Sequence, residues 1–96
     1  MKMTPLKTLL TEAMIEKLAS RSYLRYGKQI VKDGDVSILE SNTFNVFAKV
    51  QHAQGEKRSV ELHSTPKGFK FKCTCTNRKD LFCQHCVAVA LAQITN

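Results

Sequence analysis

Cys73-Thr74-Cys75 and Cys83-Gln84-His85-Cys86 stand seven residues apart in this sequence. All four cysteines of the 96-residue chain fall in this short segment, together with one of its three histidines. Thiolates and imidazoles at such paired spacings are typical ligands of tetrahedral Zn²⁺. The segment therefore predicts one structural zinc site with four protein ligands.

Local geometry predicts three of these ligands and leaves the fourth open. Cys73 and Cys75 lie two residues apart on an extended segment, so their side chains point to the same side. On a regular helix, Cys83 and Cys86 would share a face, whereas Cys83 and His85 would diverge. Cys86 also fits a continuous apolar helical face, where a free cysteine packs as a small core residue. Periodicity alone leaves both His85 and Cys86 as candidates for the fourth ligand.

The order Cys-x-Cys, loop, Cys-x-His resembles the SWIM zinc finger. That module is found beside bacterial and archaeal Swi/Snf-type ATPases and in MuDR-type transposases. The resemblance covers roughly Tyr23 to Leu91. It includes residues 22–36, which look like the stretch that precedes the finger in bacterial Swi/Snf-type proteins, and the Ala-rich apolar run 87–92 that follows it.

The resemblance also implies a ligand set; Cys86, which periodicity favours, is the substitute for the histidine. The four implied ligands of the single zinc ion are Cys73, Cys75, Cys83 and His85. Both members of the second pair can reach one metal if the final helix begins after Cys83, which leaves that residue in a non-helical turn.

Length and composition bound the architecture. Hydrophobic residues make up 43% of the chain and tryptophan is absent, so we expect one domain with a modest core that a metal would reinforce. Residues 1–21 are predicted as an N-terminal helical segment and residues 22–96 as the SWIM-type zinc-binding domain. A secretory signal and an apolar run of about 18 residues are both lacking. We therefore expect a cytoplasmic protein with reduced cysteines rather than two disulfides.

Two helical patterns come first in the chain. Thr4-Pro5 is a helix start signal. Apolar residues then recur every four positions at Leu6, Leu10, Met14 and Leu18. We interpret this face as packing within the domain; the alternative is that it docks a partner.

A second helix is predicted to begin at Ser20 or Ser22 and to end at Asp33-Gly34-Asp35. The predicted apolar face consists of Tyr23, Tyr26, Gly27, Ile30 and Val31. The basic residues Arg21, Arg25, Lys28 and Lys32 fall mostly opposite. We interpret them as a solvated surface; the alternative is that this face meets phosphates.

Alternating hydrophobicity predicts strands after this helix. The inward positions of the predicted strands are Val36, Ile38, Phe44, Val46, Ala48, Val50, Val60, Leu62, Phe69, Phe71 and Cys73. Turn signals lie at Gln54-Gly55-Glu56 and at Thr65-Pro66-Lys67-Gly68. The predicted fold is α+β, with N-terminal helices, a small antiparallel three- to four-stranded sheet, a zinc knuckle and a C-terminal helix.

The net charge of +7 favours a polyanionic partner, nucleic acid first. A metal-pinned loop carrying basic residues could contact backbone phosphates. The predicted contacts are Arg78, Lys79, Lys72, Lys70 and Lys67. We thus predict a zinc module that binds nucleic acid, DNA ahead of RNA, accessory to a Swi/Snf-type ATPase or similar machinery. The alternative is a protein-interaction module with a purely structural zinc; neither a membrane nor a small-molecule substrate is expected.

Enzymatic activity is not expected from this sequence. A catalytic zinc keeps an open coordination position, whereas four good ligands are present here. The glutamate of a deaminase or metalloprotease motif does not lie beside them, and a Walker-type phosphate loop is also missing.

Overall fold

A computed structural model describes residues 4–51, 57–75 and 81–95 of the chain. In chain order the elements are α1 (Leu6–Leu9), α2 (Glu12–Leu18), α3 (Arg21–Lys32), β1 (Val36–Ser41), β2 (Asn45–Val50), β3 (Arg58–Thr65), β4 (Gly68–Cys73) and α4 (Gln84–Thr95). This order confirms the predicted α+β class.

The strands form one four-stranded sheet in the order β1-β2-β3-β4. Each strand pairs antiparallel with the next, so the sheet is a simple meander. The predicted turn between β3 and β4 is confirmed: Thr65 pairs with Gly68, and its Oγ1 donates to the Gly68 carbonyl at 2.8 Å. Gly68 has a φ of 122°, which favours glycine. The predicted turn at Gln54-Gly55-Glu56 lies outside the described residues.

One face of the sheet is apolar and carries the core. Val46, Ala48, Val50, Val60 and Leu62 are buried, as predicted, and Ser64 continues the same alternation on β3. The cross-strand partners of Val60, Leu62 and Ser64 on β4 are Cys73, Phe71 and Phe69, respectively. The alternation therefore brings Cys73 to the inner face of the sheet.

Helix α4 forms the middle layer of the molecule, between the sheet and α3. It contacts α3 and every strand, and Cys86, Val87, Ala88, Val89 and Ala90 are all 0% exposed. A helix that is apolar on all sides is expected to be buried in this way. Helix α3 covers α4 on the side away from the sheet, with Gly27 set against Val87.

The N-terminal helical pattern was predicted as one helix, and this prediction is wrong. The chain forms two short helices, because Leu10 leaves the helical conformation and Thr11 caps α2 by accepting a hydrogen bond from the Met14 amide at 3.1 Å. At the start of α1, the N-cap is Pro5 and has no side-chain hydrogen bond. The break lets Leu6, Leu10 and Ile15 all enter the core, while Leu18 is 41% exposed.

The boundaries of α3 match the prediction, but one residue of its face does not. Ser20 caps the helix through a 3.1 Å hydrogen bond from the Tyr23 amide, and Gly34 follows it with a φ of 74°. Gly27 and Ile30 are buried, as predicted. Tyr26 is 57% exposed, because the close approach of α4 at Gly27 turns it away from the core.

In the part of the chain that the structure describes, no helix combines the length and apolar character needed to cross a membrane.

Candidate metal centre

Four donor atoms from separate parts of the chain converge next to the buried end of β4. They belong to the cluster Cys73, Cys75, Cys83 and His85, and all lie within 4.8 Å of one another. Cys73 and Cys83 are buried, whereas Cys75 and His85 are half-buried. We call these residues the Cys₃His cluster.

The first two cysteines are held by the end of the β-sheet. Cys73 is the last residue of β4, and Cys75 lies in the turn that follows. Between them, Thr74 is tied to β3 by two hydrogen bonds: its amide donates to the Ser59 carbonyl at 3.1 Å, and its Oγ1 accepts from the Ser59 amide at 3.0 Å. Thr74 and Ser59 were not predicted to matter, because their contact joins positions that are distant in sequence.

The second pair is positioned by the start of α4. The helix begins at Gln84, and the Cys83 carbonyl accepts the first helical hydrogen bond from the Val87 amide at 3.0 Å. Cys83 is therefore the residue before the helix, with freedom to turn its thiol toward His85. The prediction that the helix begins after Cys83 is confirmed.

The spacing of the donors suits a tetrahedral ion. Cys75 Sγ lies 3.3 Å from Cys73 Sγ and 3.4 Å from Cys83 Sγ. His85 Nδ1 lies 3.6 Å from the Sγ atoms of both Cys73 and Cys83. Zinc–sulfur bonds of about 2.3 Å in a tetrahedron place sulfur atoms about 3.8 Å apart, so small outward shifts would accommodate the ion. All four cysteines are free thiols.

Cys86 lies beside the cluster but belongs to the core. It is 0% exposed, and its Sγ is 3.9 Å from Cys83 Sγ. The set of residues that could hold a metal includes His85 and omits Cys86. Of the two candidates that helical periodicity left open, His85 is the one whose nitrogen converges with the other three donors, while Cys86 packs in the core.

The clustered groups shift one another's protonation. Hydrogen bonds to Cys73 and then Cys83 raise the pKa of His85 to about 9. The hydrogen bond with Cys73, followed by that with Cys86, holds the pKa of the Cys83 thiol well below its usual range. Burial raises the pKa of Cys75, with the neighbouring thiols adding to it. A bound cation would override these mutual effects, because a coordinated thiol is deprotonated.

The pKa of Cys86 moves in the opposite direction to that of Cys83. Its contacts with Cys73 and Cys83, together with burial, raise it. Cys86 is therefore stable as a neutral thiol, which fits its position in the apolar core.

Three aromatic rings near the cysteines in sequence pack against one another. Phe82 precedes Cys83 and is 2% exposed. Its ring meets Phe71 edge to face at 4.9 Å and Phe69 at 6.1 Å between centroids. Phe82 is thus inaccessible to a nucleic-acid base and packs as part of the core.

The predicted nucleic-acid contacts do not all lie on the cluster side of the sheet. Lys70 and Lys72 are exposed and alternate with Cys73, so they project from the opposite face of β4, while Lys67 is exposed in the β3–β4 turn. Arg78 and Lys79 lie outside the described residues.

The outer face of the sheet has a polar network of its own. His63 Nδ1 is 2.6 Å from Asn45 Oδ1, and His63 Nε2 is 3.2 Å from Glu61 Oε1. The imidazole also meets the Phe47 ring at 5.5 Å. In the strand register Glu61 pairs with Lys72, so an acid lies beside the positive charge on this face.

Comparisons of the chain with protein families, with curated proteins and with solved structures found no match. The Cys₃His cluster, a zinc-finger-like arrangement, is therefore the observation on which functional reasoning depends.

Proposed function

We propose that the protein is a zinc module of the SWIM type that binds nucleic acid, mainly DNA, through backbone phosphates. The observation that carries the proposal is the convergence of three thiols and one imidazole nitrogen within 4.8 Å. Calcium and magnesium prefer oxygen ligands, while a mixed thiolate and imidazole set suits zinc. The ion stays bound as a structural element, since four protein ligands complete its tetrahedron.

The same donor set argues against catalysis. A hydrolytic zinc uses three protein ligands and leaves the fourth position to water. Here Cys73, Cys75, Cys83 and His85 would fill all four positions, and the Phe82 ring is buried beside them. We therefore propose a binding module rather than an enzyme.

Nucleic acid is the proposed partner because of charge. The chain carries a formal net charge of +7, and its described lysines in the β3–β4 hairpin are exposed. The order Cys-x-Cys, loop, Cys-x-His and the Ala-rich helix after it support the SWIM assignment and, with it, a role beside a Swi/Snf-type ATPase or similar DNA-processing machinery. Arg78 and Lys79, in the loop between the ligand pairs, are the proposed phosphate contacts there, with Lys67, Lys70 and Lys72 nearby in sequence.

The alternative, a protein-interaction module, has less support from the structure. That hypothesis relied on the N-terminal apolar face, yet Leu6 is 2% and Leu10 is 4% exposed. Met14 is half-buried, and Leu18 alone in that set is exposed. The face is used within the domain, so it does not offer a partner a continuous apolar surface.

The test begins with metal content and native mass of the purified chain. We expect one zinc per chain, lost in Cys83→Ser and retained in the matched control Cys86→Ala. Equal zinc content in both variants would contradict the proposed ligand set.

Binding is then measured by titration with salt, using double-stranded DNA. Replacing both Arg78 and Lys79 with alanine should reduce the slope of log K against log salt by about 1.8, since each phosphate contact contributes about 0.9. One zinc per chain without DNA binding at physiological salt would leave the metal site standing and favour the protein-interaction alternative.

A further inference from the structure

Helix α3 presents a continuous basic stripe on the outside of the molecule. Its members, Arg21, Arg25, Lys28 and Lys32, follow one another at intervals of four, three and four residues, and all are exposed. Residues at these intervals lie on the same face of a helix. The helix contains no acidic residue between its first and last positions.

The opposite face of α3 fixes the direction of this stripe. Gly27 packs so closely on α4 that an added Cβ would lie 2.4 Å from Val87 Cγ1, and Ile30 is 1% exposed. Rotation of α3 about its axis would push a side chain into this contact. The four cations are therefore displayed in a set orientation, over a rise of about 16 Å at 1.5 Å per residue.

The positive charge of this helix is not balanced by acids of its own. Its 12 residues include four of the chain's 15 lysines and arginines and no aspartate or glutamate. Acids lie at its margins: Asp33, at the C-cap, accepts a 3.0 Å hydrogen bond from Gln29, while Glu12 and Glu16 of α2 line the same shallow cavity as Lys28. Acidic side chains therefore partly neutralise the positive charge of the stripe mainly at Lys28. On β4, by contrast, Lys72 pairs in register with Glu61.

We propose that the outer face of α3 is the docking surface for duplex DNA, an inference that rests on the proposed function. A helix with its side chains is about 10–12 Å wide and enters a major groove about 12 Å wide. Arginine and lysine side chains along it reach the phosphates that border the groove. Ser22, Tyr26 and Gln29 are exposed beside the cations and add hydrogen-bonding groups.

Other polyanions fit this face less well. A helix that lies on a membrane needs a broad apolar face, and Tyr26 is the large hydrophobic residue of α3 that is exposed. Single strands bind by stacking successive bases on several aromatic rings, for which one tyrosine does not suffice. Duplex RNA has a major groove too narrow for side chains to read.

The experiment compares two charge variants of the full, zinc-loaded chain. The first replaces Arg21, Arg25, Lys28 and Lys32 with glutamine, which keeps helix propensity close to that of the original residues. The control replaces Lys7, Lys17 and Lys57, three exposed lysines outside α3 and the β3–β4 hairpin, with glutamine. Zinc content and melting temperature are measured for both variants. If the fourfold variant melts at a lower temperature than the wild type, two double variants take its place: Arg21→Gln with Arg25→Gln, and Lys28→Gln with Lys32→Gln.

Affinity is measured for a DNA duplex, an RNA duplex, a single DNA strand and anionic vesicles at several salt concentrations. The fourfold α3 variant should lose about 3.6 units of salt slope and at least about tenfold in affinity for duplex DNA. The control variant should lose less affinity.

Three results would overturn the inference. If the wild type binds duplex DNA and the α3 variant binds equally well, the inference is wrong while the proposed function stands. If the wild type prefers the single strand, duplex RNA or vesicles, the assignment of duplex DNA to α3 is wrong. If the wild type binds no nucleic acid, the proposed function fails and the inference fails with it.

Discussion

Helices α3 and α4 have the same length, 12 residues, and opposite roles. α4 contains no lysine, arginine, aspartate or glutamate and is enclosed from Cys86 to Ala90, whereas α3 carries four cations and is buried along one side. The difference shows that the distribution of charge around a helix sets its layer in the molecule. The donor groups of Cys83 and His85 come from the start of the enclosed helix, and the basic stripe lies on the outer one.

The two helices depend on each other at one point of close approach. Gly27 of α3 lies against Val87 of α4, and the carbonyl of Gln84 is also near. Gln84 and His85 form the first turn of α4, next to the donor cluster. The packing of α3 therefore bears directly on the segment that supplies half of the donor groups.

The largest expected effect tests whether α4 needs the metal more than α3 does. Chelation should remove the native amide signals of the C-terminal third, because structural zinc contributes an apparent binding free energy of about 10–16 kcal/mol to small zinc domains. Two-dimensional NMR before and after chelation measures this loss, and adding zinc back should restore the signals. Native amide dispersion that persists in α4 after the metal is removed would contradict the prediction.

A second comparison uses two positions one helical turn apart on α3. Ile30 is 1% exposed and Tyr26 is 57% exposed. Ile30→Ala should lower the free energy of unfolding by about 2–5 kcal/mol, because it leaves a cavity beneath the helix. The matched Tyr26→Ala should change it by no more than about 0.5 kcal/mol. Denaturant titration gives both values, and equal losses would mean that α3 is not oriented as described.

The smallest expected effect concerns the contact between the two helices. In Gly27→Ala the new Cβ would meet Val87 Cγ1 at 2.4 Å and Val87 Cβ at 2.6 Å. Overpacking of this kind destabilises by about 1–3 kcal/mol, which exceeds the gain of about 0.5–1 kcal/mol from replacing glycine in a helix.

The control for this variant is Lys28→Ala, at the neighbouring exposed position. Its melting temperature should stay close to that of the wild type, while that of Gly27→Ala falls. A Gly27→Ala variant more stable than the wild type would show that α3 and α4 have room to separate.

Local patterns in the sequence predicted much of this molecule correctly. The strand alternation placed Val46, Ala48 and Val50 inside because side chains on a strand alternate between its faces. Ser20 and Gly34 marked the ends of α3, since capping and a positive φ depend on residues within one turn. The spacing of the cysteines and His85 predicted a common site, as short spacings restrict where the chain can carry their donor atoms.

The sequence by itself thus determined the strands, the limits of α3 and the residues from which a metal site could be built, because each depends on neighbours along the chain. The tertiary structure decided the break at Thr11, the outward position of Tyr26 and the preference for His85 over Cys86. These outcomes depend on which apolar groups fill the shared core and, for Tyr26, on how closely α4 approaches α3 at Gly27. No periodicity within a single segment contains that information, since packing joins residues that are far apart in sequence.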